Sequence, residues 1–325
     1  MSIRAAIVAC LIAGAGTAGV AQVAYVPQRV FVSAKGQFAD FETLLADVAR
    51  ADVVLVGEEH NDPNTHRVEL AMLQGLARRR GEIVVAMEMF ERDVQEPLAH
   101  FLMGHTSEDE FLRDSRPWPD YSTSYKPLVD FAMSKDWPIV AANVPRTLAA
   151  EVSQSGLEVL NARSDADKTM FARELRCPTN DAYFKRFAET MREGMGDHSS
   201  NGTTSSAAGK SSLDRYYQAQ CLKDETMSES IAQSYAAGAI GGKRPLVVSF
   251  NGAFHSDFGQ GITERTKRRL PDKRILTIAV VPTESLDQLA PDKEARKRAD
   301  YLVYTIKDSA PVPAGPPAAV GTPAG

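Results

Sequence analysis

Two Gly-x-x-His tetrads stand at the ends of apolar runs: Gly57-Glu58-Glu59-His60 after "VVLV", and Gly252-Ala253-Phe254-His255 after "LVVSFN". A glycine at a strand exit allows a sharp backbone turn, and three residues later an imidazole can face back over the sheet edge. Between the tetrads, Glu88 interrupts the apolar run "IVVAMEMF". A carboxylate inside a strand of that kind needs a partner or a shifted pKa. His60, Glu88 and His255 are therefore a set that could act as general base on a water, hold a divalent metal or bind a cofactor. The neighbouring acids Glu58 and Glu59 add affinity for a hard cation. Asn143 ends "PIVAA", with Arg146 just beyond, and His66 lies on a helix that could reach the same place. His100 and His105 are spaced poorly for joint ligation on a helix and read as surface residues. His198 sits in a polar stretch and reads as non-functional.

These residues need a scaffold that brings strand ends together. Strand-like segments at Val30–Ala34, Val53–Gly57, Glu82–Phe90, Trp137–Pro145, Pro245–Gly252, Arg274–Val281 and Tyr301–Ile306 alternate with helical ones. The helical spacing is clearest over Phe38–Arg50, Asp62–Arg80, Val94–Met103, Lys126–Ser134, Asp181–Arg192, Leu213–Tyr235 and Ile262–Leu270. Strands separated by helices predict an α/β fold with a mostly parallel central sheet flanked by helices. The helical middle of the chain would cap the sheet. In such sheets ligands bind outside the carboxyl ends of the strands, where the polar residues above collect.

The chain has 325 residues, 43% of them hydrophobic, and a formal net charge of -5. The size and hydrophobic fraction allow a large core, and the charge argues against nucleic acid as a partner. Residues 1–21 read as a signal peptide, with Gly19 and Ala21 at the -3 and -1 positions of a cleavage site. Ile7-Val8-Ala9-Cys10 resembles a lipoprotein box set unusually close to the start. An α/β domain is expected over residues 29–308, a flexible Gly/Ser/Thr-rich insertion at 193–212 and a disordered Pro/Ala-rich tail at 309–325. Cys177 and Cys221 could pair in an oxidising compartment or stay free and buried. No Gly-x-Ser-x-Gly elbow, phosphate-binding glycine loop, His-Glu-x-x-His or zinc-type cysteine pattern occurs.

"VGEEHNDPNTHRVEL", "AMEMFERDVQ", "WPDYSTSYKPLVDFA", "AANVPR", "AQCLKDETMSESI" and "NGAFHSDFGQGI" occur in this order. Together they resemble the ChaN-like haem-binding uptake proteins of the superfamily that also holds Tiki, TraB and erythromycin esterase proteins. The resemblance covers roughly residues 53–281. It implies an exported, periplasmic or outer-membrane-associated protein that binds haem and serves an outer-membrane haem uptake system. It also implies a homodimer in which two haems stack between protomers. A tyrosine would ligate each iron, with Tyr125 first, Tyr121 second and Tyr183 third, and His60, His66 or His255 would meet the propionates. Glu58, Glu88, Asn143 and Arg146 would complete that cofactor site. The alternative implied by superfamily relatives is a hydrolase of esters or peptides, with His60, Glu88 and His255 catalytic and a divalent metal as the cofactor.

Overall fold

A computed structural model of the chain describes residues 26–194 and 207–308. The expected signal peptide with its Cys10 box, His198 and the tail lie outside the described residues. So does most of the expected insertion, but from Ala207 onward its residues are helical rather than irregular.

In chain order, β1 (Gln28–Val32) and β2 (Gln37–Ala39) form a hairpin closed by Gly36 at φ +64°, a conformation that suits glycine. Helix α1 (Phe41–Val48) follows, with Asp40 accepting from the Thr43 amide as its cap. The helix expected from Phe38 therefore starts later, because Gln37–Ala39 pair with β1 instead. Next come β3 (Val53–Glu58) and α2 (Pro63–Ala77), whose Asp62 cap and first-turn proline agree with the sequence. Then follow β4 (Ile83–Glu91), α3 (Gln95–Leu102), α4 (Glu108–Ser115), α5 (Tyr121–Ser124), α6 (Lys126–Met133), β5 (Ile139–Asn143) and α7 (Arg146–Ser155). The last part holds α8 (Ala182–Gly194), α9 (Ala207–Gly238), β6 (Leu246–Gly252), α10 (Ala253–Ser256), α11 (Ile262–Arg269), β7 (Ile275–Thr283) and β8 (Tyr301–Ile306). Helix α4 was not expected, although Ser107 and Glu110 form a capping box at its start.

The strands form one eight-stranded sheet in the order β2-β1-β8-β7-β3-β6-β4-β5. All pairings from β8 to β5 are parallel, and the β1–β2 hairpin adds two antiparallel pairings at one edge. The fold is thus α/β with a mostly parallel sheet, as the alternation of segments predicts.

Alternation along the strands sorts the core into two layers. Val54 and Val56 of β3, Val85 and Met87 of β4, and Val248 and Phe250 of β6 pack with residues of α1, α2, α3 and α6. Val53, Leu55, Val84, Ala86 and Val247 face the other way, onto Met227, Ile231 and Tyr235 of α9 and Ile262 of α11. We call these the α2 face and the α9 face.

Helix α9 is held to α11 by a buried acid. Glu225 is fully buried and takes Arg268 at 2.7 Å, Arg269 at 2.6 Å and Arg265 at 3.2 Å. Removing one member of a buried charged network strands the others, which costs about 3–5 kcal/mol. Glu225→Ala should therefore destabilise the protein by that amount in urea denaturation, well beyond the effect of an exposed Glu→Ala control.

Candidate functional site

Strands β3 and β6 are neighbours at the centre of the sheet, and Glu58 stands opposite Gly252 in their register. The two Gly-x-x-His tetrads therefore leave the sheet side by side. Strand β4, carrying Glu88, flanks β6 on its other side. Residue parity then decides where each acid points. Glu58 continues the Val54–Val56 set and enters the α2 face. Glu88 continues the Val84–Ala86 set and enters the α9 face.

On the α2 face Glu58 is buried, and its Oε1 accepts from the Tyr125 hydroxyl at 2.8 Å and from His60 Nδ1 at 2.5 Å. Behind it, His66 and Glu69 of α2 are also buried, with His66 Nδ1 3.0 Å from Glu69 Oε2. Burial, with the nearby charge of Glu69 next, pushes the Glu58 carboxyl up to about 8. Burial likewise lifts Glu69 to about 8. Tyr125 is completely enclosed, and burial together with Glu58 and Glu69 holds its hydroxyl neutral, far above its ordinary value.

On the α9 face, Glu88 Oε2 accepts from the Gly252 amide at 2.7 Å, and Oε1 lies 3.2 Å from His255 Nε2. The other imidazole nitrogen of His255 lies 2.6 Å from Asp224 of α9. Burial opposes the charge on His255, but Glu88 and Asp224 outweigh it and raise the imidazole to about 10. Burial also opposes the charge on Glu88, and His255 overcomes it, bringing the carboxyl down to about 2. The result is an imidazolium clamped between two carboxylates.

The two faces meet at His60. Its Nδ1 donates to Glu58, so in the neutral ring the lone pair is on Nε2. Burial disfavours the protonated ring, but the Glu58 hydrogen bond prevails and its pKa is raised. A Cβ built on Gly252 would lie 2.6 Å from His60 Nε2, and one on Gly57 would lie 3.0 Å from the Ala253 backbone. Gly252 has φ of -54°, within reach of any residue. These glycines are thus required by close packing of the two tetrads, not by the sharp turn that the sequence suggested.

A cleft of about 470 Å³ opens here, lined by His60, His255, Arg186, Phe187, Phe254 and Arg298 among others. Glu58 lies at its floor, and Glu59 faces water at its rim. Arg186 of α8 stacks over Phe254, 4.2 Å from the ring centroid, and donates to the Phe254 carbonyl at 2.7 Å. Its buried Nε has no hydrogen-bond partner among the described residues.

The other residues singled out in the sequence sit apart from the cleft. Asn143 donates to the Glu88 backbone carbonyl at 3.2 Å, supporting the strand end. Arg146 pairs with Glu91 and reaches the Arg116 carbonyl, at the β5 edge of the sheet. Tyr121 and Tyr183 are buried like Tyr125. His105 is exposed, and His100 is half-buried against pocket residues of α3 and α4. His255 has a carboxylate at each ring nitrogen, Glu88 at Nε2 and Asp224 at Nδ1. Sequence reasoning missed Asp224, Gln220, Glu69 and Arg186. Gln220, Asp224 and Ser228 recur at helical spacing, so α9 turns polar residues inward where periodicity looks for apolar ones. Cys221, on the same helix, forms a disulfide with Cys177.

The family model described as haem-binding uptake, Tiki superfamily, ChaN matches residues 44–266. The chain belongs to this family. A solved structure titled as cofacial heme binding to ChaN of Campylobacter jejuni shares the fold, with a TM-score of 0.60 and 16% identity, over 86% of this chain and 96% of that one. A mutant of the erythromycin esterase EreC, in its open conformation, aligns over 87% of this chain and 99% of its own at 12% identity, with a TM-score of 0.47. Among curated proteins, RETICULATA-RELATED 5, chloroplastic, of Arabidopsis thaliana is 26% identical over 263 residues, or 78% of this chain. The chain spans about a third (34%) of the length of that relative.

The His255–Glu88 pair gives the family fold here a specific pH signature. His255 binds its proton more tightly when folded, so its contribution is complete below its unfolded value of 6.5 and fades as pH rises towards about 10. Glu88 binds its proton less tightly when folded, so its contribution is complete above 4.5 and fades as pH falls towards about 2. His255→Asn should lose about 3 kcal/mol of stability near pH 6, where the pair is fully formed. The difference from wild type should shrink as denaturation curves are repeated towards pH 10.

Proposed function

We propose that this chain is an exported haem-binding protein that holds haem in the cleft above β3 and β6. Membership of the ChaN family over residues 44–266 carries this reading, and the cleft fits the group. Phe187, Met191 and Phe254 offer apolar surface to a porphyrin. Arg186, whose Nε has no hydrogen-bond partner among the described residues, and Arg298, which also pairs with Asp257 at 2.8 Å, offer cations to propionates. The accessible nitrogen donor is His60, whose side chain is 35% exposed, whereas Tyr125 is sealed and committed to Glu58. We therefore place His60, rather than Tyr125, nearest the iron. When bound, haem supplies an iron centre that imidazole or oxygen donors ligate. This chain's residues bind and orient it. The Cys177–Cys221 disulfide supports an oxidising location such as the periplasm, and a homodimer serving an outer-membrane uptake system belongs to the same proposal.

Hemin titrated into the purified chain should give a saturable Soret shift. His60→Ala and the Arg186→Ala/Arg298→Ala double variant should each weaken binding at least about tenfold, the loss of one or two good polar contacts. Tyr125→Phe should leave the Soret band in place. A wild-type chain that leaves the hemin spectrum unchanged would refute the reading.

A second reading rests on the couple between His60 and Glu58. A histidine oriented by a carboxylate, with Nε2 free beside a cleft, has the layout of a general base acting on water. Under this reading Glu58 orients His60, and the Glu88–His255 pair fixes the floor of the cleft. Hydrolysis across a panel of esters and peptides should then be lost in both His60→Ala and Gly252→Ala, the latter because its methyl group displaces the His60 ring. A panel without turnover by the wild type would refute this second reading.

A further inference from the structure

The Glu58–His66–Glu69 cluster lies behind the cleft; Glu58 orients His60 in the second reading above, whereas His66 and Glu69 enter neither reading. Its three side chains present ligand atoms within 4.8 Å of one another, and all three are buried. His66 fixes the chemistry. Its Nε2 lies 3.0 Å from the His60 carbonyl oxygen, which only accepts hydrogen bonds, so Nε2 carries the proton. In the neutral ring Nδ1 then bears the lone pair, and it points at Glu69 Oε2 at 3.0 Å and Glu58 Oε2 at 3.8 Å. A histidine whose second ring N–H is held by a backbone carbonyl is the usual arrangement of a metal ligand. Two further atoms support this. Glu58 Oε2 and Glu69 Oε1 are buried, and with both acids ionised they have no hydrogen-bond donor among the described residues; the two carboxyls can bond to each other only by sharing a proton. The ion pairs of both acids, among those residues, are with histidines alone. Two carboxylates this close in a dry interior require a positive charge between them or a shared proton.

We propose that Glu58, His66 and Glu69 bind one divalent transition-metal ion. One imidazole and two carboxylates suit Zn²⁺ or Mn²⁺. The other oxygen of Glu58 accepts from His60 and Tyr125, so the ion would set the orientation of the cleft histidine from behind. The inference is independent of haem binding.

The test uses the full chain, freed of metal with a chelator and equilibrated with Zn²⁺ or Mn²⁺ without hemin. Elemental analysis after desalting should find one ion per chain, and the melting temperature should rise with added metal. Glu69→Gln, which keeps the shape of a neutral carboxyl, and His66→Asn should each weaken binding more than tenfold and abolish the metal-induced rise. The His100→Ala/His105→Ala double variant should bind as the wild type does, which excludes surface histidines. Circular dichroism confirms that the variants fold. The proposal is overturned if the wild type retains no stoichiometric metal, or if Glu69→Gln and His66→Asn bind as tightly as it does. A metal-indifferent wild type with a more stable Glu69→Gln variant would show that the two acids share a proton instead.

Discussion

Everything around the cleft answers to one constraint: two carboxylates buried at the ends of parallel strands, on opposite faces of the sheet. Neither Glu58 nor Glu88 can keep a charge in the interior without a partner. Their strands are separated by β6 alone, yet parity sends one acid into the α2 layer and the other into the α9 layer. Each layer therefore supplies its own answer. The α9 layer surrounds Glu88 with a protonated His255 and backs that histidine with Asp224. The α2 layer surrounds Glu58 with Tyr125, His60, His66 and Glu69.

The difference between the two answers shapes what the cleft offers a ligand. On the α9 side the charges are balanced and the ring nitrogens of His255 are occupied, so that side is a rigid floor. On the α2 side His60 is tethered by one nitrogen and open at the other. Gly252 lets it lie flat against the neighbouring strand end. The cleft thus pairs one accessible imidazole with Arg186 and Phe187 of α8, Phe254 of α10 and Arg298, which is why both proposed readings converge on the same histidine. The one acid of α2, Glu69, stands with His66 just behind it.

Much of this organisation could be read in the sequence. Apolar runs located most strands, and the Gly-x-x-His repeats named the two histidines that share the cleft. Glu88 stood out because an acid within an apolar run requires a partner. Other features were hidden for physical reasons. The partners of a strand-borne acid come from helices distant in sequence, and helix α9 buries Asp224, Glu225, Thr226 and Ser228 where an amphipathic pattern would put apolar residues. Tyr125 looked like an available ligand because its enclosure depends on α2, Trp118 and Glu58, which only the tertiary structure brings together. The short strand β2 replaced the first turn of an expected helix because pairing with β1 overrode local spacing.

The order of strands also has a consequence for how the protein matures. Strands β3 and β4 are not neighbours; the gap between them is filled by β6, which the chain reaches only after α9. Until residues 246–252 arrive, two parallel strands have inward edges with unpaired amides and carbonyls, and Glu88 lacks both the Gly252 amide and His255. Closing the sheet and neutralising the acid are therefore a single late event. Without that segment the two inward edges are exposed to edge-to-edge association. The pairing is dominated by long-range contacts, which fold slowly. The central gap in the sheet can therefore be filled only once residues 246–252 are available.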